Sequence, residues 1–196
     1  MAFRTDTLEQ FVESVAARTP VPGGGAVAAV TAAHGAALAA MVLEFTLGKP
    51  RFAEFEQQNR EALAQLARMR HRALELADED AQAYVELNSL WKLPKDSPVR
   101  LQAWDGAVAA AIRAPQAILD LAAELACICA ALRMRTNAQL ASDLAIAADL
   151  SRVAARAAAH NVAVNLPSVA DAPRREAFQR AMDQALRTAE SGAQPV

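Results

Sequence analysis

Between Thr19 and Leu43 the chain carries no Lys, Arg, Asp or Glu. The run opens on Pro20-Val-Pro-Gly-Gly-Gly25 and continues almost wholly in Ala, Val, Leu and Met, with His34 in its middle. A segment apolar on every side must be surrounded by protein or by lipid. Lipid is the poorer fit, because prolines and glycines fill its start and alanine drives insertion weakly compared with Leu, Ile or Phe. The sequence therefore predicts a helix from about Gly25 to Leu47, stopped by Gly48, at the buried centre of a bundle or oligomer. Three glycines at its head allow a close backbone approach, either to a neighbouring helix or to a ligand. The first N–H groups of a helix also favour an anionic or oxygen-rich ligand. The spacing is not that of a dinucleotide-binding loop, and no strand precedes it.

Everything around this run also reads as helix, and no segment alternates as a strand would. Thr7 with Gln10 makes a capping box for a first helix to Ala17. Pro50 suits the first turn of a third helix, which reads unbroken to about Leu90. Ser97 and Pro98 open a fourth helix, in which Pro115 predicts a kink. After a polar break at Arg133–Asn137, helices are expected over about Ala138–Val164 and Arg174–Glu190. Aromatics are only 5% of the chain, so the core must be built from small aliphatic side chains that let helices approach closely. The expected fold is a single all-α domain over residues 1–196, an up-and-down helix bundle with one very long helix. At roughly 60 Å that helix outruns a domain of this size, so a second copy of the chain is expected to cover it.

The formal net charge of −2 gives no support to nucleic-acid binding. The absence of an apolar leader points to a cytoplasmic domain, with no membrane partner. Cys127 and Cys129 lack the spacing of a zinc or redox pair and read as two buried thiols. His34, His71 and His160 are too scattered to suggest a metal site, and no nucleophile elbow is present.

Three further groups stand out. Asp80, Tyr84 and Asn88 share a helix face beside Asp78 and Glu79, which read as ordinary solvated charges. Asn137, Ser142 and Asp143 are either caps or ligand groups. Asn161 and Asn165 share a face in an apolar stretch, and buried amides need partners, either another helix or a polar ligand.

These segments occur in one order: Thr19-Pro-Val-Pro-Gly-Gly-Gly25, Leu47-Gly-Lys-Pro-Arg51, Asp80-Ala-Gln-Ala-Tyr84, Leu93-Pro-Lys95, Ala114-Pro115, Asn137, Ser142-Asp143 and Asn161-Val-Ala-Val-Asn165. Together they resemble the cyclodeaminase/cyclohydrolase family over nearly the whole chain. The chain departs from the family pattern at Glu44, Pro50 and Thr136. The resemblance implies an intertwined homodimer or higher oligomer with a folate substrate near the subunit interface. It implies cyclisation of 5-formiminotetrahydrofolate with loss of ammonia, or hydrolysis of 5,10-methenyltetrahydrofolate; the alternative from a different class is an inactive folate-binding or purely structural helical oligomer. Neither reaction needs a metal or a cofactor beyond the folate, and a separate formiminotransferase is a possible partner. By the same resemblance Asp80 moves protons, with Asp143 in reserve. Gly23, Gly24, Gly25, Lys49, Arg51, Tyr84, Asn137, Ser142, Asn161 and Asn165 hold the substrate, Lys49 and Arg51 by attracting its glutamate tail.

Overall fold

The charge-free run does form the central helix. In the computed structural model, which describes residues 3–192, the order is α1 (Leu8–Ala16), α2 (Gly24–Glu44), α3 (Glu56–Trp91), α4 (Pro98–Leu132), α5 (Ala141–Asn165) and α6 (Ala172–Gly192). Short 3-10 segments fill most of the connections, and no strand occurs among the described residues. Helix α2 packs against α3, α4 and α5, and one apolar core draws side chains from all six helices. Small residues make this packing possible. A Cβ on Gly35 would come within 3.1 Å of Leu125 and 3.2 Å of the Ala147 carbonyl oxygen, so α2 lies close against α4 and α5 there. Fully buried Leu76, Leu87, Ile112, Leu119 and Leu125 supply the larger contacts. Each contributes on the order of 2 kcal/mol of burial.

The long helix is continuous. Residues 50–55 are wound as 3-10 helix and pass directly into α3, giving one helical rod from Pro50 to Trp91. Helix α2 ends earlier than its composition suggests, because Phe45–Gly48 form turns closed by bonds to Met41 and Leu43. Gly48 is the left-handed residue that stops it, with φ of 73°. Helix α4 runs through Pro115.

Two caps differ from expectation. Ser97 occupies the cap position of α4, but its side chain makes no capping bond. Helix α6 starts at Ala172 rather than Arg174, because the Asp171 carboxylate accepts from the Arg174 amide at 2.7 Å. The thiols also divide, with Cys129 buried and Cys127 exposed. Residues two apart on a helix point to different faces, so the pair could not share one environment.

Two helices, Gly24–Glu44 and Pro98–Leu132, are long and apolar enough to cross a membrane by length and composition. Most of each apolar window is buried against other helices, as expected of core elements.

Candidate functional site

At the N-terminal end of α2 the Pro-Gly-Gly-Gly segment faces α3 and α5 across a cleft of about 450 Å³. Gly23, Gly24, Gly25, Asp80, Tyr84, Asn161 and Asn165 all line it. Seven of the residues singled out in the sequence are thereby brought to one place. Gly23 caps α2 without a side chain, and the first intrahelical bond at this end is Val27 N–H to the Gly23 carbonyl. The amides of Gly24, Gly25 and Ala26 therefore have no partner one turn back.

Asp80 is the one charged side chain in the lining. Its carboxyl group lies where a Gly25 side chain would begin: a Cβ there would sit 2.2 Å from Oδ2 and 2.3 Å from Oδ1. Gly25 is thus required for the approach itself. The neighbouring acids are engaged elsewhere. Asp78 accepts from the Phe3 amide at 2.7 Å, and Glu79 pairs with Arg72 at 2.5 Å. Among the described residues no group donates a hydrogen bond to Asp80 and no cation faces it. Burial without compensation disfavours the charged form, and it pushes the carboxyl up from 3.8 to about 6.

The two asparagines reach the cleft from α5. Asn161 donates through Nδ2 to the Ala157 carbonyl at 2.9 Å, and its amide also lies against Gly24. Asn165 donates through Nδ2 to the carbonyls of Ala111 and Asn161, both at 3.0 Å. The Ala111 bond has a specific cause. Pro115 has no N–H, so the carbonyl four residues earlier lacks its helical donor, and Asn165 supplies one. The proline in α4 thereby sets the orientation of an amide on α5. Both Nδ2 groups are occupied by backbone, and neither Oδ1 receives a hydrogen bond among the described residues. The cleft therefore presents carbonyl-type acceptors from α5, a carboxyl group from α3 and free amides from α2.

The remaining sequence candidates lie elsewhere in the same chain. The Asn137 amide donates to Thr46 Oγ1 at 3.1 Å, which ties the α4–α5 connection to the C-terminal end of α2. Asn137 Oδ1 accepts from the Gln139 amide at 3.2 Å, so it does cap a turn. Ser142 and Asp143 follow in the first turn of α5, and Lys49 and Arg51 lie just beyond Thr46. Asp143 and Asn165 occupy opposite ends of α5, roughly 30 Å apart at 1.5 Å per residue. Lys49, Arg51, Asn137, Ser142 and Asp143 thus lie toward the other end of the bundle, and they do not line the Asp80 cleft.

Sequence reasoning missed Trp91, Val164 and Ala111, which also line the cleft. For Trp91 the signal was present, since positions 80, 84 and 91 fall on one helical face. No group of three or more His, Cys, Asp or Glu is placed to hold a metal ion among the described residues.

The fold and the cleft define an all-α domain with a ligand-sized site at one end of its central helix. The chain belongs to the formiminotransferase-cyclodeaminase family, whose profile matches residues 7–184. It is 34% identical over 168 residues to a formimidoyltransferase-cyclodeaminase of Sus scrofa, across 84% of this chain and 31% of that protein. It is 28% identical to a methenyltetrahydrofolate cyclohydrolase of Methylorubrum extorquens, across 85% of this chain and 82% of that protein. A crystal structure of formiminotetrahydrofolate cyclodeaminase from Thermotoga maritima superimposes with a TM-score of 0.82 at 30% identity, covering 97% of this chain and 91% of that one. The chain spans about a third of the length of the formimidoyltransferase-cyclodeaminases it matches.

Proposed function

We propose that this chain cyclises 5-formiminotetrahydrofolate to 5,10-methenyltetrahydrofolate with release of ammonia. The observation that carries the reading is Asp80, an uncompensated carboxyl group set against Gly25 in a cleft whose other polar groups are neutral. The reaction needs one proton moved between two nitrogens on one carbon. N10 attacks the carbon of the formimino group, which is protonated on its nitrogen, and a tetrahedral carbon forms. The Asp80 carboxylate takes the proton from N10 and returns it to the amino group, whose bond to carbon then breaks as ammonia leaves. A carboxyl group poised at about 6 can accept and release a proton near neutrality. No step calls on a metal or a second cofactor. The free amides of α2 and the Oδ1 atoms of Asn161 and Asn165 suit the donor and acceptor edge of a pterin. The likeness to the Thermotoga maritima cyclodeaminase over nearly the full length of both chains supports the same reading.

Hydrolysis of 5,10-methenyltetrahydrofolate is the second reading. Its support is length: the chain spans most of the Methylorubrum extorquens cyclohydrolase. The same carboxylate would then activate water. The test is direct. Purified protein is given 5-formiminotetrahydrofolate, and ammonia and methenyltetrahydrofolate are followed together. Stoichiometric release of both supports cyclodeamination. No acceleration over the blank, with hydrolysis of added methenyltetrahydrofolate instead, favours the second reading. Saturable folate binding without either reaction identifies a binding protein.

The working form proposed is a cytoplasmic homodimer or a multiple of it. An open groove of about 550 Å³ runs between α2 and α3, lined by Ala37, Ala40, Met41, Leu63 and Ala67 with Glu44, Arg60 and Arg70 among them. Apolar floor and mixed charge suit burial by a second copy. Lys49, Arg51, Asn137, Ser142 and Asp143 can reach an Asp80 cleft only from such a copy, and in that arrangement Lys49 and Arg51 would meet the anionic tail. Light scattering should give at least twice the 20.8 kDa chain mass. A stable monomer with full activity removes these five residues from the site. A separate formiminotransferase is the proposed source of substrate.

A further inference from the structure

The far wall of the Asp80 cleft is aromatic. Tyr84 and Trp91 both line it, and they remain 40% and 42% exposed respectively. Their rings meet edge to face at 6.5 Å between centroids. Behind Trp91 stands Trp104 of α4, again edge to face at 6.4 Å. The Arg100 guanidinium lies over Trp104, 4.4 Å from the ring centroid, and donates to the Leu93 carbonyl at 2.8 Å. The turn between α3 and α4 is thus fastened to Arg100, Arg100 to Trp104, and Trp104 to Trp91. An indole left this exposed is held from behind and open in front. In an edge-to-face pair the rim of one ring meets the face of the other, and with 42% of Trp91 still exposed the indole keeps surface for a further partner.

The amides and the aromatic rings of the cleft come from different helices. Asn161 and Asn165 lie on α5 with acceptors unoccupied, whereas the Tyr84–Trp91 wall offers no charge. A folate has the same division: one heterocycle rich in N–H donors, then the reacting N5 and N10, then a benzene ring without donors. We propose that Trp91, braced by Trp104 and Arg100 and flanked by Tyr84, is the binding residue that stacks the p-aminobenzoyl ring of the substrate. This rests on the folate reading above. It fixes the direction in which the ligand lies: donor-rich ring on α5, benzene ring on the aromatic wall, bridging nitrogens beside Asp80.

The chain has two tryptophans, so fluorescence can isolate Trp91. Quenching by 5-formyltetrahydrofolate is measured for wild type and for Trp91→Phe, with inner-filter correction against free tryptophan. Most of the quenching should be lost in the variant, where only Trp104 emits. Trp91→Ala should raise KM on the order of 10-fold with kcat changed by no more than about twofold, and Trp91→Phe should restore most of the loss. Inhibition by p-aminobenzoylglutamate should weaken in Trp91→Ala, while inhibition by 6-methyltetrahydropterin should not. Equal KM in wild type and Trp91→Ala overturns the proposal, as does selective loss of pterin inhibition. Both leave the folate reading standing. Absence of folate binding to wild type by calorimetry overturns both together. Because Trp91 is so exposed, circular dichroism should show both variants folded.

Discussion

Gly25→Ala separates the chemistry of the site from the stability of the fold. The new methyl carbon would lie 2.2–2.3 Å from three atoms of the Asp80 carboxyl, where ordinary contact begins at 3.4 Å. The carboxyl must therefore retreat by roughly 1 Å. It can do so at little cost, because among the described residues it has no hydrogen bond to break. Alanine also suits the first turn of a helix better than glycine, by about 0.5–1 kcal/mol. The melting temperature should accordingly hold steady or rise by about 2–4 °C. Catalysis should not hold, since displacing a reacting group by 1 Å can cost on the order of 100-fold in kcat. Gly24→Ala is the matched control: its methyl would meet the Asn161 amide at 3.4 Å, so the loss should be several-fold smaller. Steady-state kinetics and a thermal melt on both variants settle the matter. Wild-type turnover in Gly25→Ala would refute the placement of Asp80 at the reacting atoms. Unfolding of that variant would show instead that the glycine serves packing.

Asp80→Asn should lower turnover by at least about 100-fold, and wild-type kcat/KM should fall below pH 6, where Asp80 begins protonated. Its shift from 3.8 to about 6 also has a sign for stability: the unfolded chain releases the proton first, so the folded state loses roughly 3 kcal/mol as pH rises from about 4 to above 6. Urea melts at pH 4.5 and 7.5 should therefore converge in Asp80→Asn, and an unchanged difference would show that Asp80 is not the buried acid. Asn165→Ala should destabilise by about 1–3 kcal/mol through the orphaned Ala111 carbonyl; adding Pro115→Ala, which restores a helical donor, should recover much of that, and simple additivity in the double-mutant cycle would refute the link. Mixing inactive Asp80→Asn with inactive Asp143→Asn subunits should restore part of the activity if Asp143 serves a neighbouring copy's cleft, and no recovery in proven mixed oligomers would exclude it.

The fold was legible where a helix limit is set by a local signal, and less so at the end of α2 and the start of α6. Pro50, Gly48 and the Thr7–Gln10 box are local signals with local consequences, and each lies where the sequence puts it. The cleft was legible in part for the same reason. Asp80 and Tyr84 share a face by spacing alone, and Asn161 and Asn165 do too. Trp91 follows the same spacing, but nothing local tells that its ring faces a cleft until α4 and α5 are placed beside α3. What no local signal contains is the pairing of helix ends. That Asn165 reaches the carbonyl freed by Pro115 depends on α4 and α5 being antiparallel neighbours in one register.

That dependence also explains why the candidates divide. In an up-and-down bundle, residues near successive turns alternate between its two ends. The glycines heading α2 and the asparagines ending α5 meet at one end, whereas Lys49 after α2 and Ser142-Asp143 opening α5 lie toward the other. Motif order in the sequence carries no information about which end a motif occupies, so a list drawn from it merges two places into one site. A single carboxylate with neutral neighbours can move a proton, but its cleft lacks a cation for an anionic substrate. The opposite end has Lys49 and Arg51 without the Asp80 cleft. The proposed homodimer would account for this division: a second chain laid antiparallel along the α2–α3 groove would bring Lys49 and Arg51 to the Asp80 cleft.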